Sequence, residues 1–142
     1  MEADAIDYLA GLQLLAAYKR DLVRAKARTA EYFEIMADLA CSENVSDVWQ
    51  NVLATEDRFK AVVLGRFFEI VTCPASHNDE GKIVCIVLVK DAITNAPNEL
   101  YRFMITRAGE VQAGQGEEVI SHTSIGGPEL LLTQISLAVF AS

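Results

Sequence analysis

Cysteine is scarce in this chain and wrongly spaced for a framework: Cys41, Cys73 and Cys85 form an odd set with no CxxC pair. Secreted disulfide scaffolds and zinc ribbons use even or tightly spaced sets, so a reducing, cytoplasmic setting is expected. Basic charge is short as well, with 12 Lys and Arg against 20 Asp and Glu, a net charge of −8. Phosphate backbones and anionic lipids repel such a chain, which argues against nucleic acid or a membrane as partner. The deficit is evenly spread, eight against twelve in residues 1–73 and four against eight in 74–142, or −4 in each half. Long hydrophobic runs are missing too. The longest, Ile83 to Val89, falls far short of the roughly 20 residues that span a bilayer. The opening MEADAID has acids where an export signal carries Lys or Arg.

Linear catalytic and phosphate motifs are equally absent. There is no GxSxG, GxxxxGK[ST] or HExxH, and Gly114-x-Gly116 is not completed to GxGxxG. This lowers the expectation of an enzyme without deciding it, because small acid–base enzymes need no linear motif. No cofactor is implied. Repeats, low-complexity stretches and linkers are missing, so residues 1–142 read as a single α+β domain with one core.

What is present begins with a helix. Residues 4 to about 40 contain no proline and one glycine, Gly11, and are rich in strong helix formers. Leu9, Leu12, Leu15, Leu22, Ala30, Phe33, Met36 and Leu39 recur at three- and four-residue intervals, which predicts one core-facing stripe. Cys41 to Ser46 interrupts that pattern, and Asn44 or Ser46 could cap a second helix carrying Val48, Trp49, Val52 and Leu53. Residues 59–73 fit both a helical stripe through Phe59, Val63, Phe67 and Ile70 and a β-branched strand. The reading adopted is helix to about Leu64 and extended chain beyond Gly65.

Strands are expected at Lys82–Asp91 and Glu99–Thr106, with Pro74–Gly81 as a hairpin connection and Ala92–Asn98 as a turn. Shorter strands follow at Val111–Ala113 and Glu118–Ile125, around a loop at Gly114–Gly116. Glu129–Phe140 is read as a strand in preference to a helix opened by Pro128, because Thr133, Ile135, Val139 and Phe140 are β-formers. The expected architecture is a long N-terminal helix and a second helix packed on an antiparallel sheet of four to five strands. That element order resembles the cone-like folds of nuclear transport factor 2 and cystatin, in which a sheet wraps around a helix. The resemblance is one of architecture and carries no site residues.

Ile83–Val89 is apolar at seven consecutive positions, so both faces of that strand must avoid water. Helices can cover one face. The other requires a second layer, a ligand cavity or another subunit. The favoured function is therefore a non-catalytic binding or assembly domain acting as a homodimer through its sheet face. The alternative is a cone-shaped pocket for a small hydrophobic ligand, with an isomerase- or hydrolase-like site using His122 as the proton-transfer group.

Trp49, Tyr101, Arg102 and Phe103 are the candidate ligand-binding residues. Tyr101 and Phe103 share one strand face, and Arg102 lies on the other with Leu100 and Met104. Cys73-x3-His77-x7-Cys85 has zinc-ligand types, but its spacing is loose and Cys85 sits inside an apolar strand, so no metal site is assigned. Arg20, Arg24 and Arg28, with Lys19 and Lys26, form the one concentrated basic patch. A solvated helix face paired locally to Asp21 and Glu31 is the simpler account of it, and docking of an acidic partner the sharper one.

Overall fold

The computed structural model describes residues 2–45, 47–113, 118–120 and 127–142. Helix α1 spans Glu2–Ala40 and is followed by a single 3-10 turn at Glu43–Val45. Strands β1 (Trp49–Ala54), β2 (Arg58–Val63), β3 (Arg66–His77), β4 (Glu80–Lys90), β5 (Pro97–Ile105) and β6 (Val111–Ala113) come next, then a three-residue β7 (Glu118–Ile120). Helix α2, Gly127–Ala141, ends the chain. Every strand pairs antiparallel with its neighbours in sequence, giving one curled meander in the order β1 to β7. The α+β class is as expected. The sheet is larger than the four to five strands anticipated.

Local turn chemistry explains the meander. Leu64 and Gly65 between β2 and β3 both have positive φ, 48° and 86°, and Asn78 and Asp79 between β3 and β4 have 52° and 59°. Two consecutive left-handed residues make the type I′ hairpin turn, whose twist matches that of the flanking strands. Pro74–Gly81 is therefore mostly strand, with only Asn78 and Asp79 as the turn. At the β4–β5 turn, Asp91 Oδ1 accepts from the backbone N–H groups of Ile93 and Thr94 at 2.8 and 2.9 Å.

Three expectations are corrected. No second helix follows α1: Trp49–Ala54 is an edge strand. A β-bulge between Gln50 and Leu53, with Asn51 at φ 53°, brings Trp49 and Val52 against the core although they are three residues apart. The bulge thus imitated helical spacing. Residues 59–64 are strand, because Phe59, Ala61 and Val63 alternate into the core at period two. Residues 129–140 are helix, with Pro128 in the first turn and Leu131, Leu132, Ile135 and Val139 buried on one face. The Gly114–Gly116 loop, Ser46 as a cap, and the part of the expected strand beyond Ile120 lie outside the described residues.

Both helices pack on the same side of the sheet. Tyr32, Phe33 and Met36 from α1 meet Phe59, Phe68, Ile70, Val87 and Ile105 from the strands and Leu132 and Ile135 from α2, all fully or almost fully buried. Each such side chain contributes about 1.5–3 kcal/mol relative to exposure. Phe59 stands at the centre of this cluster, 6.0 Å from the Phe33 ring and 5.9 Å from Phe68. Trp49 Nε1–H donates to Ser136 Oγ at 2.9 Å and ties the edge strand to α2. The Tyr32 hydroxyl donates to the carbonyl of Gly109 at 3.1 Å, and burial pushes its pKa up to about 12.

The expected stripe on α1 is only half right. Leu9, Leu12 and Leu15 are exposed, and packing begins near Tyr18 and Asp21. The cause is length: α1 has 39 residues and runs roughly 58 Å at 1.5 Å per residue. The longest strand, β3, has 12 residues and reaches roughly 40 Å.

Where the helix first meets the sheet, it crosses Gly81. A Cβ at Gly81 would lie 2.9 Å from the Tyr18 carbonyl oxygen and 3.1 Å from Asp21 Cβ. The first of these is backbone and cannot swing aside. Gly81→Ala is therefore expected to lower stability by about 1–3 kcal/mol, read as a fall in the denaturation midpoint with the slope unchanged. An unchanged midpoint would show that the helix does not need this close approach.

Candidate functional site

The alternation of β2 to β5 that fills the core leaves another set of side chains on the far face of the sheet. Strand register sets them in rows. One row runs Arg58, Val71, Ile86, Arg102, and the next Lys60, Glu69, Leu88, Glu99. Beside them, Cys73, Val84 and Met104 make a third row, and Val62 lies next to Phe67. Val62, Phe67, Val71, Val84, Ile86 and Leu88 on this face are each half-buried and stand apart from the core cluster, while Met104 at the end of the third row is buried. The result is an apolar centre flanked by both signs of charge.

The flanking charges are already engaged in pairs. Arg58 Nε and Lys60 Nζ approach Glu69 Oε2 at 3.7 and 3.5 Å. Arg102 pairs with Glu99, and its Nε–H donates to Oε2 at 3.0 Å; this holds the Glu99 carboxyl below the ordinary range. Lys90 Nζ stands 4.6 Å over the Phe67 ring. Such exposed pairs contribute little stability each, but they fix the orientation of the charges around the centre.

A polar cluster closes one end of this face. Lys82 is only 4% exposed, and its ammonium donates to Gln112 Oε1 at 2.8 Å and lies 3.2 Å from His77 Nδ1. Around the corner, the Asp21 carboxylate accepts from the Gly81 N–H at 3.0 Å and from Arg107 Nη1 at 2.9 Å, while Arg107 Nε is 3.8 Å from Glu80 Oε1. Glu80 Oε2 is buried without a hydrogen-bond partner among the described residues. The sequence reading missed this cluster. The available signal was a carboxylate, Asp21, on the same helical face as Tyr18, Leu22 and Ala25, where only a paired charge is tolerated.

The candidate residues named from sequence are dispersed. Tyr101 and Phe103 lie side by side on the core face, ring centroids 6.3 Å apart, and burial pushes the Tyr101 hydroxyl up to about 12. Arg102 points from the opposite face, and Trp49 is on β1 against α2. His122 lies outside the described residues. Cys73 and Cys85 occupy opposite faces of the sheet, so with His77 they cannot converge on one ion; Cys85 is fully buried and its thiol is pushed up by burial. In the basic patch, Arg28 Nη1 pairs with Glu31 at 3.3 Å as anticipated, but Asp21 turns to Gly81 and Arg107 instead.

A groove of about 360 Å³ lies between α1 and the β1–β2 turn, lined by Lys26, Ala30, Glu56, Asp57, Thr72 and Ile83 among others. None of Trp49, Tyr101, Arg102 and Phe103 lines it. Thr72 Oγ1 and Thr55 Oγ1 in its neighbourhood are engaged with the Asp57 carbonyl and carboxylate at 2.8 and 3.0 Å. Compared with protein-family models, curated proteins and solved structures, the chain matches none. The likeness to cone-like folds thus stays at the level of element classes.

The Asp21 carboxyl is held below its ordinary value of 3.8, first by the Gly81 N–H and then by Arg107, against an opposing effect of burial. A depressed native pKa means the unfolded chain binds more protons, so stability rises with pH through this range. The contribution is present in full above the unfolded value and is lost as pH falls through the lower native one. Asp21→Asn is expected to cost about 1–2 kcal/mol at pH 7, with the gap to wild type closing below about pH 4. Denaturant titrations of both proteins across pH 2.5–7 read this directly, and a gap that stayed constant with pH would remove the charge from the account.

Proposed function

We propose that this protein is a non-catalytic assembly domain that acts as a homodimer through the outer face of its sheet. One observation carries the reading: the apolar row around Val71 and Ile86 has no covering layer among the described residues, although β4 is apolar on both faces. Contiguous exposed apolar surface is uncommon on monomers and marks association sites, with a charged rim around an apolar centre as their usual layout. A second copy suits the face because it carries both signs of charge in adjacent rows, Arg58 and Arg102 beside Glu69 and Glu99. Twofold symmetry can then set unlike charges opposite one another. Arg102 belongs to the rim in this reading, and Tyr101 and Phe103 support the strand from behind.

A ligand pocket within the cone has less support. Phe33, Met36, Phe59, Phe68 and Ile135 fill the space between helices and sheet, and small-molecule sites need open volume with a few convergent polar groups. A role for His122 stays tied to that alternative.

Ile86→Glu places a carboxylate at the centre of the face, where the native strand pairs of the core are untouched. Light scattering of the purified chain is expected to show the mass of the assembly falling by half or more, with the far-UV spectrum unchanged. A folded variant of unaltered mass would sink the sheet-face interface.

A further inference from the structure

The first four turns of α1 extend past the sheet, and their composition is unusual for a helix in water. From Tyr8 through Tyr18 the chain reads YLAGLQLLAAY, without one charged residue. Tyr8, Leu9, Leu12, Leu14 and Leu15 are 46–67% exposed in the single chain. A helix apolar on this much of its circumference is normally covered. Gly11, in the middle of the arm, would meet nothing within 4 Å if it carried a Cβ. An interior glycine weakens a helix by roughly 1 kcal/mol relative to alanine, and nothing among the described residues requires it there.

The charges around the arm are sorted by sign. Glu2, Asp4 and Asp7 precede the uncharged stretch, and Lys19, Arg20 and Arg24 follow it. Lys19, Arg20 and Arg24 make no ion pair among the described residues, although each is exposed. Two such arms side by side in parallel would set acid against acid and base against base. Antiparallel arms set the acidic end of each against the basic end of the other.

We infer that the arm is a second, independent interface, on which the arm of another copy of this chain lies antiparallel about Gly11 and Leu12. Tyr8, Gly11, Leu12, Leu15 and Lys19 recur at spacings of three and four and so share one stripe. In a register centred between Gly11 and Leu12, Tyr8 of each copy meets Leu15 of the other, the glycines let the backbones approach, and Asp7 at the acidic end of each arm comes within one turn of Lys19 of the other. A membrane surface is the lesser fit, since amphipathic membrane helices present a Lys/Arg-rich polar face and this stretch has no charge at all. Because α1 packs on the core side of the sheet, the arm and the outer sheet face do not compete. Two twofold interfaces at separate places build assemblies larger than a dimer.

The inference does not rest on the sheet-face dimer, and the experiment separates the two. Light scattering of the full chain between 1 and 100 micromolar, concentrations set on the order of those where modest interfaces form, is run on Ile86→Glu, Leu12→Asp/Leu15→Asp and their combination. The expected result is a concentration-dependent dimer for Ile86→Glu and a monomer for the combined variant. If Ile86→Glu fails to change the mass while Leu12→Asp/Leu15→Asp lowers it, the sheet-face reading falls and the arm stands. Orientation is tested in the Ile86→Glu background: Asp7→Lys or Lys19→Glu alone weakens dimerisation about tenfold, since symmetry counts each pair twice, and the two together restore it. An Ile86→Glu protein that is monomeric at 100 micromolar overturns the inference, whether or not it floats with phosphatidylcholine vesicles. So does a dimer that survives Leu12→Asp/Leu15→Asp, or a double reversal that fails to rescue.

Discussion

The contact on which the rest depends is the crossing of α1 over the start of β4. At that point the helix backbone at Tyr18 lies so near the strand that only glycine fits at position 81, and the Asp21 carboxylate accepts from the Gly81 N–H and the Arg107 guanidinium. A carboxylate nearly removed from water is tolerable only with such partners. Once satisfied, it sets the height and the longitudinal position of the helix. Below the crossing, Ala25, Tyr32, Phe33, Met36 and Ala40 are carried into the core; above it, no strand among the described residues lies beneath the exposed Leu9, Leu12 and Leu15.

This explains an asymmetry of the molecule. The core side is closed twice, by α1 and by α2, with Trp49 and Ser136 joining the edge strand to the second helix. The other side of β2 to β5 is paved with half-buried aliphatic residues and paired charges. The arm and the outer sheet face are two expressions of one imbalance, since the described elements leave apolar surface on both partly uncovered. Association through either surface would offset that imbalance.

Legibility differed by element for physical reasons. β4 was readable because an unbroken apolar run bounded by turn residues has few other solutions, β5 from its aromatic and aliphatic residues beyond a turn, and α1 from propensity over many residues. β1 was not: a bulge at Asn51 gave Trp49 and Val52 a helical spacing. α2 misled in the opposite direction, because Thr133, Ile135 and Val139 favour strands intrinsically, yet Leu131, Leu132, Ile135 and Val139 find a helical groove to fill. Tertiary burial overrode propensity there, as it commonly does. Of the proposed binding residues, the face assignments of Tyr101, Arg102 and Phe103 could be read from alternation, but whether they met Trp49 could not, since that depends on how the sheet curls.

By itself the sequence determined the class of the fold, the long helix, the central strand that is apolar on both faces, and the sorting of charge along α1. These are one-dimensional properties: period, run length and the order of signs. Only the tertiary structure decided that the second helix is the last element, that α1 overhangs the sheet, and that Asp21, Gly81 and Arg107, from three distant segments, form one anchor. Those outcomes turn on which segments compete for the same face of the sheet, and that competition is resolved in space and leaves no pattern along the chain.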